Sequence, residues 1–244
     1  SKGGEVNDNP SSEDTRYSDS VFTNYLDTMA ARGHNGLLIQ IALYPLENDR
    51  LSWDLTWIQR CEWLVEEMAA RGIYCQLNIF NTWSRHKDYW FEYTTNAADH
   101  VFNVWASGDE TVKRNYIRTL VARFAGYYNV YWELGNEMEH SPNPGSAFAS
   151  LANSHYLPWL RQYDPYGLPV GVSEEYSYEN TNVEIGFRHQ TDSFPPSTGT
   201  SRIYIMNELV RGWPGGVLAY DPVMRNSANR LGYRRTFWRM FTYG

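Results

Sequence analysis

Apolar residues recur at helical spacing over positions 20–31 (Val21, Phe22, Tyr25, Leu26, Met29), and Arg32-Gly33 supplies a stop. The run Leu37-Leu38-Ile39-Gln40-Ile41-Ala42 follows at once and suits a strand buried on both faces. The order then repeats: 57–70 is amphipathic, Arg71-Gly72 closes it, and 73–80 is the next apolar run. The phrase Met-Ala-Ala-Arg-Gly ends both helical segments, at 29–33 and 68–72, which marks one helix-to-strand corner used twice. A helix predicted over 110–124 leads to a strand at 130–134, and another over 147–163 leads through Asp164-Pro165-Tyr166-Gly167 to a strand at 168–172. Short strands are predicted at 183–187 and 202–206, and a helix over 222–240, with Gly232 weakening its middle.

Helices alternating with buried strands call for a parallel sheet with helical crossovers. No Gly-x-Gly-x-x-Gly turn supports a dinucleotide fold, and six strands at this spacing fit a barrel. The expected fold is therefore an α/β, (β/α)8 barrel in a single catalytic domain over 1–244. Six strands are two short of eight, so the barrel is read as incomplete: the six count as the second to seventh, the first and eighth are not evident, and the chain is expected to be part of a longer one.

A chain of 244 residues can bury a full barrel core. Its 28 acidic against 21 basic residues give a net charge of -7, and the basic pairs are isolated, which argues against nucleic acid as a partner. No apolar run reaches the length of a membrane span. No secretory leader is visible; if one has been trimmed, a secreted or periplasmic home suits the function argued below. Cys61 and Cys75, on a helix and the strand after it, are expected as buried thiols, being too few for a disulfide framework or a zinc site. Aromatic residues make up 16% of the chain, and Trp83, Trp90, Trp105 and Trp213 stand in polar, loop-like stretches. A ring there offers an apolar face suited to the C–H face of a sugar.

Catalytic groups in such barrels sit at the C-terminal ends of strands. The fourth strand ends in Trp132-Glu133-Leu134-Gly135-Asn136-Glu137 and the seventh in Ile203-Tyr204-Ile205-Met206-Asn207-Glu208. Each places a carboxylate where an apolar strand gives out. Two carboxylates across a barrel mouth are what cleavage of a glycosidic bond needs, one to protonate the leaving oxygen and one to attack the anomeric carbon. Glu174, Glu175 and Asp192 compete for a role, but Glu174 and Glu175 lie one strand from Glu137 and face it poorly across a sugar. The six histidines are scattered, and Glu137-x-x-His140 has no second copy, so neither a metal centre nor another cofactor is expected.

The segment at 132–137 resembles the Asn-Glu signature that ends the fourth strand in clan A glycoside hydrolases, the superfamily of cellulases and mannanases. The stretch from Tyr25-Leu26-Asp27 through Arg71-Gly72-Ile73 to Glu137 is similar to the cellulase-like and apiosidase-like branches. The resemblance implies a retaining double displacement with Glu137 as acid/base and Glu208 as nucleophile, and Asn136 bonded to the hydroxyl next to the anomeric carbon. His189, at the end of the sixth strand, matches a histidine common in the clan. The tyrosine expected two positions later is Thr191, and the second strand holds Gln40 where an arginine is common. Substrate-binding candidates are thus Asn136, His189, Asn207 and the four loop tryptophans. The partner expected is an oligo- or polysaccharide. The alternative is an inactive carbohydrate-binding barrel, and sugar, linkage and oligomeric state are not set by the sequence.

Overall fold

A computed structural model of the chain describes residues 18–40, 55–81, 110–136, 138, 145–173, 180–189 and 203–208. Helix α1 (Asp19–Ala31) leads to β1 (Gly36–Gln40), α2 (Leu55–Ala70) to β2 (Tyr74–Asn81), and α3 (Glu110–Phe124) to β3 (Val130–Asn136). Helix α4 (Gly145–Leu151), a π-helical turn (Ala152–Tyr156) and α5 (Leu157–Tyr163) precede β4 (Val170–Ser173), and β5 (Ile185–His189) and β6 (Ile203–Glu208) follow. The predicted helix over 110–124 is matched residue for residue. Strand β3 runs two residues beyond the predicted 130–134, so Gly135 and Asn136 are part of it. The predicted helix over 147–163 is one helical run, but it starts at Gly145 and carries the π-turn inside it. The predicted helix over 222–240 and the places of a first and an eighth strand lie outside the described residues.

The repeated phrase has the same geometry at both sites. Gly33 and Gly72 adopt φ of 76° and 68°, a left-handed conformation that glycine enters without steric cost. The following amides, of His34 and Ile73, donate to Met29 and Met68 O at 3.0 and 2.9 Å, while the glycine amides donate to Ala30 and Ala69 O. Both corners are thus Schellman caps that turn a helix directly into a strand.

All six strands are parallel, in the order β1-β2-β3-β4-β5-β6. That order never reverses, unlike a doubly wound sheet with its switch point. Successive side chains of a strand point to opposite faces. On one face Cys75, Leu77, Ile79, Val130, Trp132, Leu134, Val170 and Val172 join the helices in a single apolar core. On the other, Gln76, Asn78, Glu133 and Ser173 are no more than 3% exposed although all are polar. A sheet buried on both faces, apolar outward and polar inward, is the wall of a barrel.

Pairs of charged and aromatic groups fix the helices to one another. Arg71, just past α2, bonds Asp27 of α1 and Glu67 of α2, each at 2.6 Å, and Arg60 pairs with Asp19 while covering the Trp63 ring. Arg123 of α3 meets Glu62 of α2 at 2.5 Å, and Arg114 donates to Tyr163 Oη at 2.7 Å. Such exposed pairs set orientation more than they stabilise. Cys61 and Cys75 are both buried, as expected. No helix among the described residues is long and apolar enough to cross a membrane.

Candidate active site

Because the strands are parallel and in register, their C-terminal residues form one rim. Asn81 of β2 pairs with Asn136 of β3, and His189 of β5 pairs with Glu208 of β6 after a bulge between Arg188 and His189. Ser173 ends β4 between them. Five consecutive strands thus deliver Asn81, Asn136, Ser173, His189 and Glu208 to the same edge, where barrels of this kind do their chemistry. The register shift leaves Asn207 as an extra residue of β6, between the pairs Arg188–Met206 and His189–Glu208.

Asn136 is 3% exposed and sits against β4. The Ser173 hydroxyl lies 3.3 Å from Gly135 O and 3.4 Å from Asn136 Oδ1, poised to donate to either. Phe148 of α4 and Met138, two residues past β3, press on Gly135, where an added Cβ would stand 2.6 and 2.7 Å from their side chains. Phe148 is backed by Tyr156 at 6.1 Å between ring centres, and Tyr156 by Phe80 at 5.2 Å. Phe80 in turn stacks on Tyr116, whose hydroxyl donates to Ile79 O. The π-turn ends at Tyr156, the residue whose ring lies between Phe80 and Phe148.

Below the rim lies the polar layer of the barrel interior. The Asn78 amide donates to Glu133 Oε2 at 3.1 Å, and the Tyr131 hydroxyl to Gln76 Oε1 at 3.3 Å. Burial, and next the charge of Glu133, push the Tyr131 hydroxyl well above the ordinary tyrosine range. Gln76 Nε2 and Asn78 Oδ1 are buried with no hydrogen-bond partner among the described residues. Sequence reading treated β2 and β3 as plain apolar strands and missed this layer. The signal was there, in Gln76-x-Asn78 and Tyr131-x-Glu133, polar positions at a period of two.

Of the residues expected from sequence, the structure brings Asn136, Asn207, His189 and Glu208 to the C-terminal ends of neighbouring strands, the last three by backbone position. Glu137, the residue after Asn136, lies outside the described residues, as do Trp83, Trp90, Trp105, Trp213 and Thr191. Ser173 and Asn81 are rim residues that the sequence reading did not single out as candidates. Among the described residues no three His, Cys, Asp or Glu side chains converge as a metal-ligand group.

Residues 5–185 match the family model described as cellulase, glycosyl hydrolase family 5. No curated protein matches the chain. Among solved structures, similarity extends to a GH5_18 protein of Streptomyces cattleya in complex with Manβ1-4GlcNAc, at 16% identity and a TM-score of 0.57 over 72% of this chain and 47% of that one. The exo-β-1,4-mannosidase Op5Man5 from Opitutaceae bacterium strain TAV5 gives 15% identity and a TM-score of 0.58 over 72% of this chain and 35% of its own. PbGH5A of Prevotella bryantii B14, a glycoside hydrolase family 5 enzyme, gives 16% identity and 0.53 over 70% and 54%. The chain spans about half or less of each of these proteins, and at such identities the likeness is one of fold. It is the likeness expected of a (β/α)8 barrel.

Proposed function

Since the chain belongs to glycosyl hydrolase family 5, the cellulase family, we propose that it hydrolyses a glycosidic bond of an oligo- or polysaccharide with net retention. Glu137 acts as acid/base and Glu208 as nucleophile. The observation that carries this reading is the shared rim: β3 ends at Asn136, the residue before Glu137, and β6 ends at Glu208 on the same edge of one parallel sheet.

In the first half-reaction Glu208 attacks the anomeric carbon while Glu137 gives its proton to the departing oxygen. In the second, Glu137 takes a proton from water, which displaces Glu208 from the sugar. Both steps pass through oxocarbenium-like states, so groups that hold the sugar's hydroxyls contribute most there. Asn136 holds the hydroxyl beside the anomeric carbon, and His189 and Asn207 contact the same sugar. Trp83, Trp90, Trp105 and Trp213 are proposed as platforms for neighbouring rings. The similar structures include an exo-β-1,4-mannosidase and complexes with Manβ1-4GlcNAc and a xyloglucan tetradecasaccharide. These favour β-linked manno- or gluco-configured chains as the substrate class.

The test is to follow hydrolysis of 4-nitrophenyl β-D-glucoside and β-D-mannoside, and of β-1,4-linked oligomers, with the first-formed anomer read by NMR. The expected product is the β-anomer. Glu208→Ala is expected to abolish turnover, and Glu137→Ala to lose about 10²–10⁴-fold, with azide restoring activity and yielding the β-glycosyl azide. An α-anomer formed first, or undiminished rates in both variants, would overturn the assignment. Saturable sugar binding without turnover by the wild type would favour the binding barrel instead.

A further inference from the structure

Met138 follows directly on Glu137 and lies two residues past the end of β3, yet it is fully buried. Its side chain folds back on the strand it has just left. Met138 Cγ and Cε stand 2.7 and 3.1 Å from the position a Cβ on Gly135 would take, and Phe148 Cζ stands 2.6 Å from it. An unbranched thioether chain suits a gap of this kind. Phe148 is fully buried as well and is backed by Tyr156, so the seat has a packed wall that yields little. On the other side of Glu137, Asn136 is buried as the last residue of β3. Both chain neighbours of Glu137 are thus held in packed surroundings, and successive Cα atoms are only about 3.8 Å apart across a trans peptide. Covalent geometry leaves a residue joined to two such neighbours little room.

We infer that Met138 is a positioning residue for the acid/base: its side chain, seated on Gly135 against Phe148, anchors the far side of the segment that holds Glu137, and the missing Cβ at 135 makes room for that seat. The inference rests on the proposed role of Glu137. Proton transfer to a departing oxygen needs the acid within hydrogen-bond reach, so a small displacement of the segment is felt in the rate. That loss is selective. A leaving group stable as an anion departs without a proton, whereas a basic one must take the proton of Glu137 as its bond to the sugar breaks.

The experiment compares kcat/KM on a 2,4-dinitrophenyl glycoside, whose phenolate leaves unaided, with kcat/KM on the phenyl glycoside of the same sugar. It uses the full chain and whichever β-linked sugar the wild type accepts. In Glu137→Ala the ratio of the two is expected to rise about 10²–10⁴-fold, because only the phenyl substrate loses its acid. Met138→Ala empties the seat and Gly135→Ala fills it. In each the ratio is expected to rise roughly ten- to a hundredfold, as for an acid misplaced rather than missing. Met138→Leu, a volume-conserving change, is expected to keep the wild-type ratio. A residue that merely supports the fold would slow both substrates alike, and Asp164→Ala, at the opposite ends of the strands, is expected to leave the ratio unchanged. Should alanine at 138 fail to fold, Gly135→Ala probes the same seat from the strand side. An unchanged ratio in either variant, beside a raised one in Glu137→Ala, overturns the inference alone. An unchanged ratio in Glu137→Ala as well, or a wild type that turns over none of the β-linked substrates, overturns the acid/base assignment and the inference with it.

Discussion

Trp132 reaches outward from β3 and gives its indole N–H to Asp164 Oδ2 at 3.1 Å, just where α5 ends. The same carboxylate receives the amides of Tyr166, Gly167 and Leu168 at 2.9–3.2 Å, so one 6%-exposed side chain shapes the turn into β4 and ties it to the neighbouring strand. Four donors converge on an acceptor-only group, and removing it leaves the buried Trp132 indole N–H and three part-buried amides without that acceptor. Asp164→Ala is therefore expected to cost about 3 kcal/mol. It should appear as a lower urea midpoint at unchanged slope, with Asp164→Asn losing less. An unchanged midpoint would show that water replaces the carboxylate at this corner. The sequence showed a turn at Asp164-Pro165-Tyr166-Gly167, because Asp, Pro and Gly each have turn chemistry. The bond from Trp132 was not legible, since nothing local links positions 32 residues apart.

The two Schellman corners are elements that sequence and geometry share. Each glycine holds a positive φ, and nothing lies within 4 Å of where its Cβ would be, so conformation and not crowding selects glycine there. Gly33→Ala and Gly72→Ala are each expected to lower stability by about 1–2 kcal/mol through the left-handed backbone alone, measured by thermal unfolding. A loss several times larger would point to lost packing. The helix ends, and hence most of the strand starts, were legible because such stops are written in the residues themselves. The π-turn was not: Ala152-Asn153-Ser154-His155-Tyr156 carries no mark of an extra residue. The rim was legible as two carboxylate-bearing strand ends. Its apposition through β4 was not, because Ser173 acts through tertiary contact with a strand 38 residues earlier.

Across the molecule, tyrosines tie the layers together and make the fold sensitive to alkali. Burial first, and then its bond to Glu66, push the Tyr127 hydroxyl from the ordinary 10 up to about 12. Burial lifts Tyr116, Tyr131 and Tyr156 further above the ordinary range. These groups stay protonated in the folded chain and ionise near 10 once unfolded. Their contribution to stability is complete below pH 10 and is lost as pH rises towards 12 and beyond. Unfolding followed by circular dichroism between pH 8 and 12 should show stability falling only above 10, with the last part of the tyrosinate absorbance of the 19 tyrosines appearing together with unfolding. Complete ionisation of all 19 tyrosines before the fold is lost would contradict the burial of these rings. The parallel sheet also divides the molecule into two poles. The Schellman corners and the Asp164 turn lie where strands begin, and the proposed chemistry lies where they end. A heat-adapting lineage of this protein can therefore reinforce one pole while the proposed site drifts at the other, with little of the usual conflict between durability and function.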